Sequence, residues 1–227
     1  MDYSFLSATN LFHGISENEI PAMLSCLAGH EKKYRKGDII LHTGDTVSEI
    51  GLILEGSVNV VVNFYRGNSN IFNHLSRGQL FAESYAAIPG QELFCDIVAA
   101  ENSSILFLNM NKLLSTCSNC CSFHNRIIHN LTRTLAENNL RLSSRMMHIA
   151  SKSIRDRLLS YLSELALTQN SMHILIPFSR QQLADYLSVD RSALSNELSK
   201  MQRDGLITYR KNEFTLLKDP SDLQNAF

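Results

Sequence analysis

The segment 178–207 constrains the fold of this chain most, because its apolar period, caps and turn signals describe two short helices joined by a tight turn. Ser179 is a good N-cap for the first helix, and Gly205 is a stop signal after the second. The turn falls at residues 188–190. The helical period predicts an inward face on both helices, formed by Leu183, Ala184, Leu187, Leu194, Leu198 and Met201.

The outer face of the second helix is short, polar and mostly uncharged, which suits the reading of base edges better than simple solvation. Residues 206–217 then alternate around a polar tip and predict a two-stranded wing. Helix, turn, helix and wing in this order indicate a winged helix-turn-helix that binds double-stranded DNA. A helical hairpin that packs on another element is the alternative. The residues expected at the DNA are Arg180, Gln181, Arg191, Ser192, Ser195, Asn196 and Lys200.

Two positions depart from the usual pattern, since Ser188 stands where the turn commonly has glycine and Glu197 stands where an apolar residue is common. The charge of the segment is also modest. Residues 180–211 carry six basic and four acidic side chains, and the whole chain has a net charge of −1. We therefore expect few phosphate contacts per subunit, so that useful affinity needs two subunits on the two half-sites of a palindromic operator.

The whole chain has the composition of a globular protein. Its 227 residues, 44 % of them hydrophobic, are enough for two modest domains. No apolar run approaches the roughly 20 residues of a membrane span, and the N-terminal residues lack the features of a signal peptide, which predicts a cytoplasmic protein without a membrane partner. Five cysteines favour free thiols or a metal site over a disulfide framework. No catalytic triad, phosphate loop or paired acidic motif supports an enzyme.

The amino-terminal half has the pattern of an all-β roll or barrel. Its core signal lies in residues 36–45 and 49–62, where glycines separate runs of β-branched residues. This pattern resembles the double-glycine strand and turn of cyclic-nucleotide-binding domains. With the winged helix behind it, the chain resembles the Crp/Fnr family of bacterial regulators from about residue 11 to 217. Glycines punctuate the half at Gly37, Gly44, Gly51, Gly56, Gly67, Gly78 and Gly90.

The resemblance implies an α+β fold with three parts. An effector-sensing, cupin-like double-stranded β-roll would occupy residues 1–118, a long dimerisation helix 119–150, and the winged helix-turn-helix 151–227. It implies a homodimeric transcription regulator that works in the cytoplasm with DNA and RNA polymerase as partners.

Residues 120–150 contain no proline or glycine and carry an apolar seam at steps of three and four, which predicts a helix about 45 Å long. A core helix buried against its own domain has the same pattern, and both readings stay open on the sequence. The family resemblance implies that the helix pairs with its twin. The predicted dimer contacts are Ile128, Leu131, Leu135, Asn138, Leu142 and Met146.

Family members that bind cyclic nucleotides use a Gly-Glu pair followed about ten residues later by arginine. Ala82 and Glu83 align with that pair, but residues 93–95 supply no arginine, and none occurs in 78–125. Burying a phosphodiester anion without a cation costs free energy. We therefore expect an effector other than a cyclic nucleotide, and the sequence identifies neither this effector nor a cofactor. The residues expected near the pocket are Phe81, Glu83, Ser84, Tyr85, Phe94, Cys95 and Leu142.

A cysteine and histidine cluster supports a second hypothesis. Cys117, Cys120, Cys121 and His124 share one face if the helix already runs there, and thiolate and imidazole suit zinc, iron or haem. The chain would then be a metal- or haem-dependent redox-sensing protein. The simpler interpretation is that the cysteines are buried and that His124 forms an ordinary hydrogen bond.

Overall fold

The structure is a computed structural model that describes residues 1–63, 69–115 and 122–218. It divides into two compact units, Met1–Ala136 and Glu137–Phe227, with the boundary inside the long helix. Within the described part of the chain, no helix is both long enough and apolar enough to cross a membrane.

Among its described residues, the first unit begins with two short helices, continues with eight strands that a third short helix interrupts, and ends in two helices. Its elements are α1 (Tyr3–Ala8), α2 (Ile20–Cys26), β1 (His30–Tyr34), β2 (Ile39–Leu41), β3 (Glu49–Glu55), β4 (Ser57–Asn63), β5 (Ser69–Ser76), β6 (Leu80–Phe81), α3 (Glu83–Ala86), β7 (Asp96–Ala99), β8 (Ser103–Asn109), α4 (Met110–Leu114) and α5 (Ser122–Ala150), which continues into the second unit.

The strands form two antiparallel sheets, with strand orders β1-β8-β3-β6 and β2-β7-β4-β5 among the described residues. Side chains alternate between the two faces of a strand, and both faces of β3 are buried. Leu52 and its same-face neighbours pack against the helical core, whereas Ile53 faces the core shared by the two sheets. The continuous apolar run at residues 50–54 is therefore what a strand between two cores requires.

Gly51 of β3 shows why a glycine stands in this strand. It pairs with Phe81 of β6, and the Phe81 ring lies so close that a Cβ at position 51 would come within 2.1 Å of its Cζ. Only glycine leaves room for the ring. The aromatic ring then closes the core between the sheets, where Phe81 is 2 % exposed.

The first half of α5 packs on its own unit. Ile127 and Leu131 are buried in the helical core, and Ile128 and Leu135 pack against it from partly buried positions. The amide of Asn130 donates to the carbonyl oxygens of Leu11 and His13 at 2.9 Å. Of the predicted dimer contacts in this half, Leu131 is therefore buried within its own unit, and Ile128 and Leu135 are partly covered by it.

The second unit contains the rest of α5 followed by a compact winged domain. Ser153 caps its next helix by accepting from the amide of Asp156 at 3.0 Å. The strands form one antiparallel sheet of order β10-β11-β9, so the predicted two-stranded wing gains a third strand. The elements are α6 (Ile154–Gln169), β9 (His173–Leu175), α7 (Arg180–Tyr186), α8 (Arg191–Arg203), β10 (Ile207–Arg210) and β11 (Glu213–Leu216).

Candidate nucleic-acid interface

Helix α7 is defined at its start by a complete capping box. The Ser179 hydroxyl accepts from the amide of Gln182 at 3.3 Å, and the Gln182 side chain accepts from the amide of Ser179 at 2.8 Å. Leu183, Ala184 and Leu187 are buried, as the helical period predicts. Both the start of the helix and its inward face are thus confirmed.

The turn between α7 and α8 requires a left-handed residue, and Ser188 supplies it with φ +54°. That conformation favours glycine, which explains why the usual pattern has glycine where this chain has Ser188. The guanidinium of Arg157 in α6 donates to the carbonyl oxygens of Leu187 and Ser188 at 3.0 and 3.1 Å. Arg157 therefore holds the turn from outside, a role that the local sequence does not show.

Asp190 caps helix α8. Its carboxylate accepts from the amides of Ser192 and Ala193 at 2.7 and 3.0 Å, and also from the Ser192 hydroxyl. These hydrogen bonds, the Ser192 hydroxyl first, hold the pKa of Asp190 below its usual value. Because the Ser192 hydroxyl donates its proton to the Asp190 carboxylate, its oxygen can act toward DNA mainly as an acceptor.

Helix α8 presents a polar face and buries an apolar one. Leu194, Leu198 and Met201 are fully buried, whereas Arg191 and Asn196 are exposed. The other predicted DNA contacts of this helix vary in exposure. Ser192 and Lys200 are exposed, and Ser195 is half-buried, with its hydroxyl donating to the Arg191 carbonyl at 2.9 Å. A helix of this kind can lie in the major groove with its N-terminal residues against base edges.

Glu197 has a partner that sequence reasoning missed. Arg155 of α6 donates to Glu197 Oε1 from Nε at 2.7 Å and lies 2.7 Å from Asp204 Oδ2 through Nη2. The Glu197 side chain is only 16 % exposed, so this pair satisfies a carboxylate that would be costly if left alone. The Glu197 hydrogen bond is the main reason that the pKa of Arg155 is raised. Two of the four acidic groups of the segment are thus offset.

Arg180 and Gln181, predicted at the DNA, lie at the start of α7. The Arg180 guanidinium lies 5.1 and 5.5 Å from the ring centroids of Tyr209 and Phe214 in the wing, and burial lowers its pKa. The Gln181 amide donates to Asp185 at 2.9 Å and is exposed. Arg180 therefore links α7 to the wing, and any phosphate contact that it makes would start from this position.

Two sequence families match the chain, one after the other along it. The family described as cyclic nucleotide-binding domain matches residues 31–120, and the family described as Crp-like helix-turn-helix domain matches residues 156–226. The chain belongs to the Crp/Fnr family. This family consists of DNA-binding transcription regulators, so the winged helix-turn-helix is the DNA-binding element. The predicted α+β fold, with its β-roll, long helix and winged helix, is confirmed.

Solved structures of Crp/Fnr proteins have the same fold at low identity. CprK complexed with OCPA is 14 % identical, with a TM-score of 0.66 over 88 % of this chain and 92 % of CprK. A CooA mutant from Carboxydothermus hydrogenoformans is 18 % identical, with a TM-score of 0.61 over 90 % and 89 %. The c-di-GMP responsive regulator CLP of Xanthomonas campestris is 17 % identical, with a TM-score of 0.59 over 89 % and 100 %. No curated protein sequence matches the chain.

In this Crp/Fnr chain the end of α5 is fixed to α7 within the second unit. The guanidinium of Arg145 donates to the carbonyl oxygens of Tyr186 and Asp185 at 2.9 and 3.0 Å. One turn after Arg145 in α5, His148 is buried against the rings of Tyr161 and Tyr186, at centroid distances of 5.6 and 6.1 Å. The long helix and the helix-turn-helix are thus joined by polar contacts that only the tertiary structure reveals.

His148 makes polar contacts on both ring nitrogens. Its Nδ1 lies 3.0 Å from the Ser160 hydroxyl, and its Nε2 lies 2.8 Å from Glu164 Oε2 and 3.4 Å from the Ser144 hydroxyl. Burial lowers the pKa of His148 below its ordinary value, although the Glu164 carboxylate opposes that shift. The neutral ring, which donates from Nε2 to Glu164, is therefore the form that the fold favours.

We expect the second unit to lose stability as His148 becomes protonated. Because the pKa of His148 is lower in the folded state than in the unfolded state, the contribution of the neutral ring is complete above about pH 6.5. It is lost as the pH falls through 6.5 toward the lower folded-state value. Urea unfolding of the wild type and of His148→Gln between pH 7.5 and 5.5 measures this. The wild type should weaken more steeply with acid; identical pH dependence would contradict the assignment.

The residues expected near the effector pocket are only partly brought together. Phe81, Tyr85 and Cys95 share the core between the two sheets, and the rings of Tyr85 and Phe94 meet at 5.6 Å. Phe94, however, is 65 % exposed. Glu83 is half-buried and Ser84 is exposed at the start of α3, whereas Leu142 belongs to the second unit and is 56 % exposed.

Ala82 and Tyr85 define the remnant of the nucleotide cassette. Ala82 has a left-handed backbone, with φ +62°, at the position where the family pattern has glycine. The Tyr85 hydroxyl is buried beside the Cys95 thiol and makes no well-formed hydrogen bond within the described part of the chain. Burial is the main cause that raises the pKa of Tyr85 to about 12 and also raises the pKa of Cys95. The site therefore favours neutral groups.

Most of the predicted metal ligands lie outside the residues that the structure describes. Cys117, Cys120 and Cys121 lie outside the described residues. His124 is described, and it contacts Cys26 and the carbonyl oxygen of Lys112. Within residues 1–63, 69–115 and 122–218, no group of three or more histidine, cysteine or acidic side chains is placed to hold a metal ion.

Proposed function

We infer that the chain is a homodimeric, sequence-specific transcription regulator that reads a palindromic DNA site. The observation that carries this proposal is α8, which is capped by Asp190, buried along Leu194 and Leu198, and exposed at Arg191 and Asn196. Arginine pairs well with guanine and asparagine with adenine in the major groove. Ser192 stands where family members commonly have glutamate, so the half-site should differ from theirs.

A dimer is needed because each winged domain carries little positive charge. Although Arg155 binds Glu197 and Asp204, the excess of basic over acidic side chains in the domain is small. A domain that neutralises few phosphates binds DNA weakly. Two linked domains that bind two half-sites together have a much higher affinity than one. RNA polymerase remains the expected protein partner of the DNA-bound form.

The second half of α5 offers the surface for dimerisation. Leu142 and Met146 are 56 % and 67 % exposed in the single chain and lie on the predicted seam. Asn138, also on the seam, is half-buried and accepts a hydrogen bond from Arg141. The seam is thus exposed only in its later part, and we place the subunit contact there.

The earlier part of the predicted seam does not supply exposed surface. Leu131 is 2 % exposed inside its own unit, and Ile128 and Leu135 pack against the same core. The period of three and four shows that one face of the helix is apolar, but both a core and a partner can cover such a face. Leu131 is covered by the core of its own unit.

Selection of binding sequences from random DNA with the purified full chain tests the proposed function. We expect one enriched palindrome whose half-sites lie about 10–10.5 base pairs apart, or a multiple of that spacing, since two α8 helices must enter the groove on one face of the DNA. Enrichment of a single half-site would contradict the dimer, and the absence of any consensus would contradict sequence-specific reading.

Cyclic AMP and cyclic GMP are not expected to be effectors. No arginine follows Ala82 and Glu83 in the cassette, and the nearest one before it is Arg77. Arg77 already donates from Nε to the Leu54 carbonyl at 2.8 Å and lies over the Phe5 ring at 3.8 Å from its centroid. A phosphodiester in the β-roll would thus lack a cation.

Calorimetric titration with each nucleotide should show no saturable heat. Thermal unfolding in the same nucleotide is the control, because a ligand that binds only the folded state raises Tm. Saturable binding at micromolar concentration would overturn the prediction and would indicate that Arg77 leaves Phe5.

A further inference from the structure

One arginine of α6 binds helix α8 at two places. Arg155 stands in the first turn of α6, and its guanidinium lies 2.7 Å from Glu197 through Nε and 2.7 Å from Asp204 through Nη2. Glu197 stands in the middle of α8, and Asp204 is the C-cap of that helix. Because the two carboxylates are seven residues apart, about two helical turns, they lie on the same side of α8. Arg155 therefore holds the helix at two points along its length.

This ionic contact has a direction, which the apolar contacts of α8 lack. Leu194, Leu198 and Met201 fill the core by their shape, and an apolar core loses the uniqueness of its packing before it loses stability. A guanidinium, in contrast, donates through N–H groups of fixed geometry, and its hydrogen bonds to carboxylates are short and strong. The Glu197 side chain is 16 % exposed, so water competes little for its oxygens. The ionic contact thus defines the rotation of α8 more narrowly than its apolar face does.

The stability of the fold is a weaker reason for an ion pair at this place. Taking two charged groups out of water costs free energy that their attraction only partly returns, and apolar residues of similar size often stabilise a fold equally well. An apolar residue is common at the position of Glu197 in helices of this kind. What an ion pair adds is selection of one arrangement, because its charges are costly in every arrangement that separates them.

We propose that Arg155 is a positioning residue for base reading, which fixes the rotation of α8 through Glu197 and Asp204. The inference rests on the proposed function, because it concerns how Arg191 and Asn196 meet base edges. Groups that make directional contacts must be held within about 10–20° of their productive orientation. Both side chains are exposed on α8, so a rotation of the whole helix moves them together. Arg155 acts through α8 and does not itself contact a base.

The test compares the wild type with the double variant Arg155→Met/Glu197→Leu in the full chain, on the selected palindrome and on random DNA. Both residues are replaced because Arg155→Met alone would leave a mostly buried carboxylate without its main partner. The double variant loses one positive and one negative charge, so the net charge of the second unit is unchanged. Binding to random DNA should therefore change less than about threefold. The ratio of the two affinities should fall by about tenfold or more.

Two control variants separate positioning from charge and from stability. Glu197→Gln keeps an oxygen that accepts from Arg155, so its affinity ratio should stay within about threefold of the wild-type ratio. The charge that this substitution removes affects both DNAs alike. Ile174→Ala removes a fully buried side chain from β9 and should lower Tm, but it should leave the affinity ratio unchanged because the ionic contact stays intact.

The outcomes separate this inference from the proposed function. An unchanged affinity ratio in the double variant would overturn the inference and leave the proposed function standing. Equal losses on both DNAs with a shallower salt dependence would also overturn it, since they would show that Arg155 binds a phosphate. A ratio that falls as far in Ile174→Ala as in the double variant would show that Arg155 only stabilises the fold. A wild type that does not distinguish the two DNAs would contradict the proposed function, and the inference with it.

Discussion

Replacing Arg191 with alanine is expected to lower affinity for the selected palindrome by roughly 10- to 100-fold per half-site, because a good bidentate contact to guanine contributes about 1–3 kcal/mol. Arg191 stands in the first turn of α8, directly after the Asp190 cap, and its side chain is exposed. The variant should therefore fold normally. Binding to random DNA should change much less, since that binding depends on phosphate charge.

The matched control for this prediction is Lys200→Ala. Lys200 is exposed two turns further along α8 and lies 3.7 Å from Glu197, so its loss removes a charge without removing an N-terminal base contact. Titrations of both variants on the palindrome and on random DNA, at two salt concentrations, make the comparison. Equal losses on the two DNAs for Arg191→Ala would show that Arg191 contacts phosphate and does not read a base.

Replacing Leu142 with aspartate is expected to convert the proposed dimer to monomers at micromolar concentration and to reduce operator binding by about 100-fold or more. A carboxylate buried in an apolar interface costs several kcal/mol. Because Leu142 is 56 % exposed in the single chain, the substitution should cost the isolated fold little. Sedimentation velocity measures the assembly, and thermal unfolding checks the fold.

Leu140→Asp is the matched control on the same helix. Leu140 is 69 % exposed, and two residues along a helix place it about 160° around the axis from Leu142. This variant should stay dimeric. A dimer that survives Leu142→Asp but not Leu140→Asp would mean that the opposite face of α5 forms the contact. Leu135 is less suitable for this test because it packs against its own unit.

The local sequence was sufficient to predict the helix-turn-helix. Ser179 and Asp190 cap the two helices, and Leu183 and Leu194 are buried, because caps and the 3.6-residue period depend on residues only a few positions apart. The β-roll was predictable for a similar reason, since glycines such as Gly51 mark where strands and rings approach closely.

Only the tertiary structure decided which groups meet across long stretches of chain. Arg155 reaches Glu197 across 42 positions, and Cys26 reaches His124 across 98. Likewise, the apolar period of α5 was visible in the sequence, but not that the core of the first unit covers Leu131. A periodic pattern records which face of an element is apolar and contains no information on what covers it. That is set by the packing of distant elements.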